Sequence, residues 1–222
     1  MILLLAALLS SSALDLENAG LLPEAGEAWA EQGSVPGQAR ILCRMLEEAL
    51  YAGEGDRALL MIETLAPFCG DTALVDYWTA RAAWTAGLSQ LAAGVMDGIE
   101  SDDPWLLYRA RGTAALYRNA GEEAGEWFLL SLAAADTARK GFWSAVDLCL
   151  ALLETGDRQG ALALSGLLLY NYPGDAIAPV LHGHCLQASG EHGAAAAILA
   201  GIDAGNPAVS RIAERLMEGY ER

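Results

Sequence analysis

His182, His184 and Cys185 crowd metal-ligating side chains into four residues. Positions two apart on a helix point about 200° from each other, so the two histidines do not reach one ion. His182 and Cys185 can share a face, but two ligands do not make a zinc site. The four cysteines, Cys43, Cys69, Cys149 and Cys185, show no Cys-x-x-Cys spacing, so neither a zinc knuckle nor a redox motif is expected. In an oxidising compartment Cys43 could bridge to Cys69, or Cys149 to Cys185; buried free thiols are the alternative reading, and sequence leaves both open. Glu47-Glu48 and Glu122-Glu123 are adjacent carboxylates. Adjacent helical residues point apart, so both pairs read as solvated faces and not as an acid–base couple. Neither a Gly-x-Ser-x-Gly turn, a phosphate loop nor a His-Glu-x-x-His helix occurs. No catalytic residue, metal or cofactor is therefore expected.

The side chains best suited to grip something are aromatics and arginines: Tyr77, Trp78, Arg81 and Trp84, then Tyr108, Arg111 and Arg118. These types dominate binding hot spots, and a guanidinium can hold a carboxylate by two parallel hydrogen bonds. The competing reading makes the rings core filling and pairs the arginines with Glu and Asp.

The elements that would carry these residues are short helices in pairs. Ala and Leu dominate while Val and Ile are sparse, and no run reads as a strand. Glycines at 20, 53, 87, 121, 156 and 190 recur at intervals of 33 to 35 residues. A fixed period of that size marks a stacked helical repeat. Five residues beyond these glycines stand Ala25, Ala58, Ala92, Ala161 and Ala195, small enough to let two helices approach closely. Seventeen beyond come Pro104, Pro173 and Pro207, and seven before come Ala80, Ala114, Cys149 and Gly183. The fourth unit breaks the pattern: Glu126 occupies the alanine place, with Ala124 just before it, which points to a one-residue shift of register.

The period and phases resemble the tetratricopeptide repeat (TPR), a helix–turn–helix with small and bulky positions at fixed offsets. The expected aromatic near the start of each first helix is missing; Leu42, Asp76, Ala110, Ala145 and Pro179 stand there. The resemblance implies an all-α, right-handed α–α superhelix of about six helix-turn-helix repeats, spanning 14–222 and closed by a capping helix over 207–221. It further implies first helices lining a concave face, on which Tyr77, Trp78, Arg81, Trp84, Tyr108, Arg111 and Arg118 would meet a peptide or partner protein. The lysine and asparagine clamp by which some members of this family hold acidic chain ends is not present in this sequence.

With 13 basic and 29 acidic residues the net charge is −16, which repels nucleic-acid phosphates and anionic lipid headgroups. Residues 1–13 are apolar, uncharged and too short to span a bilayer. They have the length of a signal peptide, with Ser11, Ser12 and Ala13 as small residues before a cut at Leu14. The mature chain would carry no integral span, and the expected location is periplasmic or secreted. A cytoplasmic adaptor whose first repeat includes this segment is the alternative, as is a helical-repeat accessory subunit of a cell-envelope enzyme complex. Under each reading the chain is a non-enzymatic scaffold.

Overall fold

The computed structural model describes residues 13–18 and 22–202, together with Ala213. The expected signal segment up to residue 12 and nearly all of the expected capping helix lie outside the described residues. Twelve α-helices, and no strand, occur among the described residues. They are α1 (Ala13–Asn18), α2 (Leu22–Glu31), α3 (Val35–Tyr51), α4 (Gly55–Leu65), α5 (Thr72–Thr85), α6 (Ser89–Gly98), α7 (Pro104–Tyr117), α8 (Gly121–Ala134), α9 (Ala138–Glu154), α10 (Arg158–Asn171), α11 (Ile177–Ala188) and α12 (His192–Ala200). A short 3-10 turn, Ala66–Phe68, follows α4.

Helix starts follow local chemistry. Asp71 Oδ1 accepts from the amides of Ala73 and Leu74, and Asp103 Oδ1 accepts from that of Trp105. Both side chains satisfy donors that a first turn leaves unpaired. Ser34 caps α3 in the same way, with Pro36 in the first turn, so that helix starts at Val35 and not at Gln38 as the Gly-Ser-Val-Pro-Gly run suggests.

Each helix packs on the next, and each hairpin pairs a first helix with a second across a tight turn. Gly53, Gly87, Gly156 and Gly190 make those turns with positive φ, where a side chain is strained. In the fourth unit the left-handed residue is Asn119 (φ 58°), and Gly121 is already the first residue of α8. The register shift expected there is thus two residues, not one. The glycine period mistook a helix-start residue for the turn. Gly87 to Asn119 is 32 residues and Asn119 to Gly156 is 37.

Counted from the described turns at 53, 87, 119, 156 and 190, the small position five residues on is filled each time. Ala58, Ala92, Ala124, Ala161 and Ala195, like Ala25, are all fully buried, whereas Glu126 is exposed. The place seven before the fourth turn becomes Gly112. A Cβ there would lie 2.5 Å from the Phe128 ring of α8, just as one on Gly183 would meet Leu199 of α12 at 2.7 Å. Small residues on first helices receive large ones from second helices, which is how the hairpins close.

The first helices also pack on each other, α3 on α5, α5 on α7, α7 on α9 and α9 on α11. They form the inner row of an all-α solenoid. Its curve is tight enough for Tyr51, at the end of α3, to pack against the cluster built by α9 and α11 around Cys149, Leu181 and Cys185.

Candidate binding surfaces on the inner row

Midway along the inner row a layer of charge is buried. Arg109 of α7 is 0% exposed. Its Nε donates to Asp147 Oδ2 of α9 at 2.6 Å, while Nη1 and Nη2 donate to Glu47 Oε1 and Oε2 of α3 at 3.3 and 3.5 Å. Trp78 Nε1 donates to Glu47 Oε1 at 3.1 Å. Arg81 Nη1 lies 3.6 Å from Glu47 Oε2, an ion contact longer than a hydrogen bond, and donates to the Tyr77 hydroxyl at 3.4 Å. The Arg109 guanidinium also sits over the rings of Tyr77, Trp105 and Trp143, at 5.0, 5.3 and 5.6 Å from their centroids. Two cations and two anions therefore neutralise each other inside an aromatic box. Burial by itself would raise the Glu47 carboxyl, but Arg109, Arg81 and the Trp78 bond hold it below its usual range. Burial likewise opposes the charge on Arg109, and Asp147 and Glu47 outweigh it.

This layer plugs the axis and leaves a hollow on either side. At the N-terminal ends of the first helices, a cavity of about 200 Å³ is lined by Arg40, Arg44, Arg139 and Lys140 around Trp78, Trp105 and Trp143. A neighbouring hollow of about 400 Å³ shares Arg40, Arg44 and Arg139. Lys140 Nζ bonds to Asp103 and Asp136 at 2.9 and 3.2 Å and lies over the Trp105 ring. Arg139 pairs with Asp175 and stacks on Trp143, yet its buried Nη2 has no hydrogen-bond partner. Four of the chain's 13 cations thus meet at one mouth, where α3, α5, α7 and α9 also present their N-terminal halves and the positive ends of their dipoles. At the C-terminal ends a separate cavity of about 330 Å³ is lined by residues of all five inner helices.

The residues expected to form one groove divide. Trp84 and Arg81 line the C-terminal cavity, Trp84 stacked on Tyr117 at 3.8 Å between centroids. Tyr77 and Trp78 are buried in the charged layer, so they support the inner surface more than they present themselves on it. Tyr108, Arg111 and Arg118 lie elsewhere. Arg111 donates to the Asp97 carbonyl and Arg118 to the Asp97 carboxylate of α6, and Tyr108 stacks on Trp127 of α8. The three arginines do not share a groove. The cause is the misplaced turn: counted from Asn119, the equivalent of Tyr77 is Arg109, and Arg111 points about 200° away from it.

Glu47 and Glu48 are a second correction. Both are buried, where solvated faces were expected; Glu122 and Glu123 are exposed. All four cysteines are free thiols, with Cys149 and Cys185 buried side by side in one cluster. His182 Nδ1 bonds to Ser165 Oγ of α10 at 3.0 Å while His184 faces the C-terminal cavity. Among the described residues no three His, Cys, Asp or Glu side chains are grouped to hold a metal ion, and no helix is long and apolar enough to cross a membrane.

With turns, buried alanines and inner row in place, the architecture is decided by the chain's own spacing. The repeat is TPR-like. No protein-family model and no curated protein matches the sequence. Among solved structures, the chain is similar to the nearly identical TPR-like repeats of a Podosopora anserina protein assigned as a kinesin light chain. The likeness to one crystal structure covers 91% of this chain and 96% of that one at 14% identity and a TM-score of 0.46. A single-substitution variant of the same repeats covers 78% and 97%, at 15% identity and a TM-score of 0.49.

Proposed function

We propose that the protein is a non-enzymatic binding scaffold that takes an acidic segment of a partner protein at the N-terminal mouth of its inner row. The observation that carries this reading is the convergence of Arg40, Arg44, Arg139 and Lys140 over three tryptophans in a chain of net charge −16. Arg139 and Lys140 are held in place by Asp175, Asp103 and Asp136, and a cluster of cations in an acidic chain favours one class of partner over others. Trp78, Trp105 and Trp143 floor the mouth with apolar area, and helix N-termini add positive potential. An incoming carboxylate can take up the buried Arg139 Nη2. Export from the cytoplasm belongs to the same reading, on the strength of the apolar residues 2–9.

The test is fluorescence anisotropy with two labelled ten-residue peptides, one rich in Asp and Glu around a single Leu, the other its Lys-rich counterpart. The acidic peptide is expected to bind, more weakly as salt rises, and to be lost in the Arg40→Glu/Lys140→Glu double variant with its helical circular dichroism unchanged. Equal binding of the Lys-rich peptide, or retention by the double variant, would overturn the reading.

A further inference from the structure

The C-terminal cavity has a composition of its own. Its walls are apolar: Leu50 from α3, Trp84 from α5, Leu116 and Tyr117 from α7, Leu150 from α9. Its polar groups are Arg81, the hydroxyls of Tyr51 and Tyr117, the ring of His184, the Asp147 carboxylate, and Thr85 and Thr113, which donate to the carbonyls of Ala82 and Arg109. Arg81 makes a single long hydrogen bond, through Nη1 to the Tyr77 hydroxyl, and its Nε and Nη2 make none. The hydroxyls of Tyr51 and Tyr117 and the ring of His184 form no hydrogen bond within the described residues. Burial keeps both tyrosines protonated by raising their pKa. Burial lowers that of His184, leaving a neutral ring with one N–H. The main acceptor in the wall, Asp147, is already held by Arg109. Four helices thus aim polar groups at one hollow, Tyr51 from α3, Arg81 from α5, Tyr117 from α7 and His184 from α11.

We infer that this cavity is a binding site for a small, mostly apolar molecule with a hydrogen-bond-accepting head, a carboxylate or carbonyl, set against Arg81, Tyr51 and Tyr117. Its body would lie along Trp84, Leu116 and Leu150. The volume of about 330 Å³ falls at the small end of ligand pockets and suits a fused-ring or short-chain compound. The negative ends of the first-helix dipoles at this mouth disfavour an anion only modestly, because the capping amides after α3, α5, α7, α9 and α11 already occupy their terminal carbonyls. A cationic ammonium head, which only donates, meets the Arg81 guanidinium and an Asp147 carboxylate already engaged by Arg109. The site lies across the charged layer from the basic mouth and does not depend on what binds there.

The experiment is isothermal titration calorimetry of the full chain with three probes sharing one ring: indole-3-acetate, indole-3-acetamide and tryptamine. The first two are expected to bind and tryptamine is not. Tyr117→Phe, which removes a hydroxyl bonded to no protein group, is expected to weaken both by roughly 3- to 10-fold. Leu150→Trp fills the hollow and abolishes binding, and both variants keep their thermal midpoint and their response to the acidic peptide. Tryptamine binding as tightly as the acetate, absence of binding by all three probes, or full affinity in Leu150→Trp would each overturn the assignment.

Discussion

Replacing Arg109 by methionine tests the register and the buried layer together. The side chain is 0% exposed and is the common partner of Glu47 and Asp147. Methionine has comparable length and leaves two carboxylates buried across an apolar gap. Breaking a buried ion pair from one side typically costs about 3–5 kcal/mol. That is a large share of the roughly 5–15 kcal/mol by which native proteins are stable. Arg111→Met, two residues away, removes an exposed guanidinium 4.0 Å from Asp97, an interaction worth about 0–1 kcal/mol. Urea unfolding followed by circular dichroism at pH 7 should put Arg109→Met roughly 2 M below the parent midpoint, and Arg111→Met close to it. The deficit is also pH-dependent. Glu47 titrates below its usual range when folded; the stability it confers is present above the unfolded carboxylate value of about 4.3 and lost as pH falls through the folded one. Without Arg109 that contribution is largely gone already, so the gap between variant and parent should narrow below about pH 4. Equal destabilisation by the two substitutions, or a gap that stays constant into acid, would refute the reasoning.

Asn119 holds the left-handed turn of the fourth hairpin, so Asn119→Ala should cost about 1–2 kcal/mol and Asn119→Gly should not, read as thermal midpoints. Ala124 is fully buried at the close approach of α7 and α8 while Glu126 is exposed. Ala124→Leu should therefore overpack the hairpin by about 1–3 kcal/mol, whereas Glu126→Ala should stay within about 0.5 kcal/mol of the parent in the same urea titration.

The hairpins were legible because their constraint is local and repeated: a turn residue, a small residue five further on, and helical apolar spacing between. One unit misled the count because asparagine there does what glycine does elsewhere. Asn is the other residue that enters the left-handed region at low cost. Trying Asn119 as the turn brings Ala124 and Gly112 into phase at once, a signal the sequence did contain. The same two-residue slip displaced the site, exchanging Arg109 for Arg111 on the opposite side of α7. Glu47 was hidden for a different reason. A charged residue is ordinarily read as exposed, and only its partners on α7 and α5 make burial tolerable.

The two mouths are further from sequence still. Arg40 and Arg44 on α3 meet Arg139 and Lys140 on α9, three hairpins along the chain. A repeat period states that neighbours stack; it does not state how far each unit turns relative to the last, and it is the sum of those small rotations that brings α3 against α9 and α11. That curvature is set by the sizes of side chains where first helices touch, among them the rings of Tyr77 and Trp143 against Arg109. The packing that closes the inner row is therefore also what determines which charges converge, so that substitutions in the core, remote from either cavity, should alter binding by changing the turn per repeat.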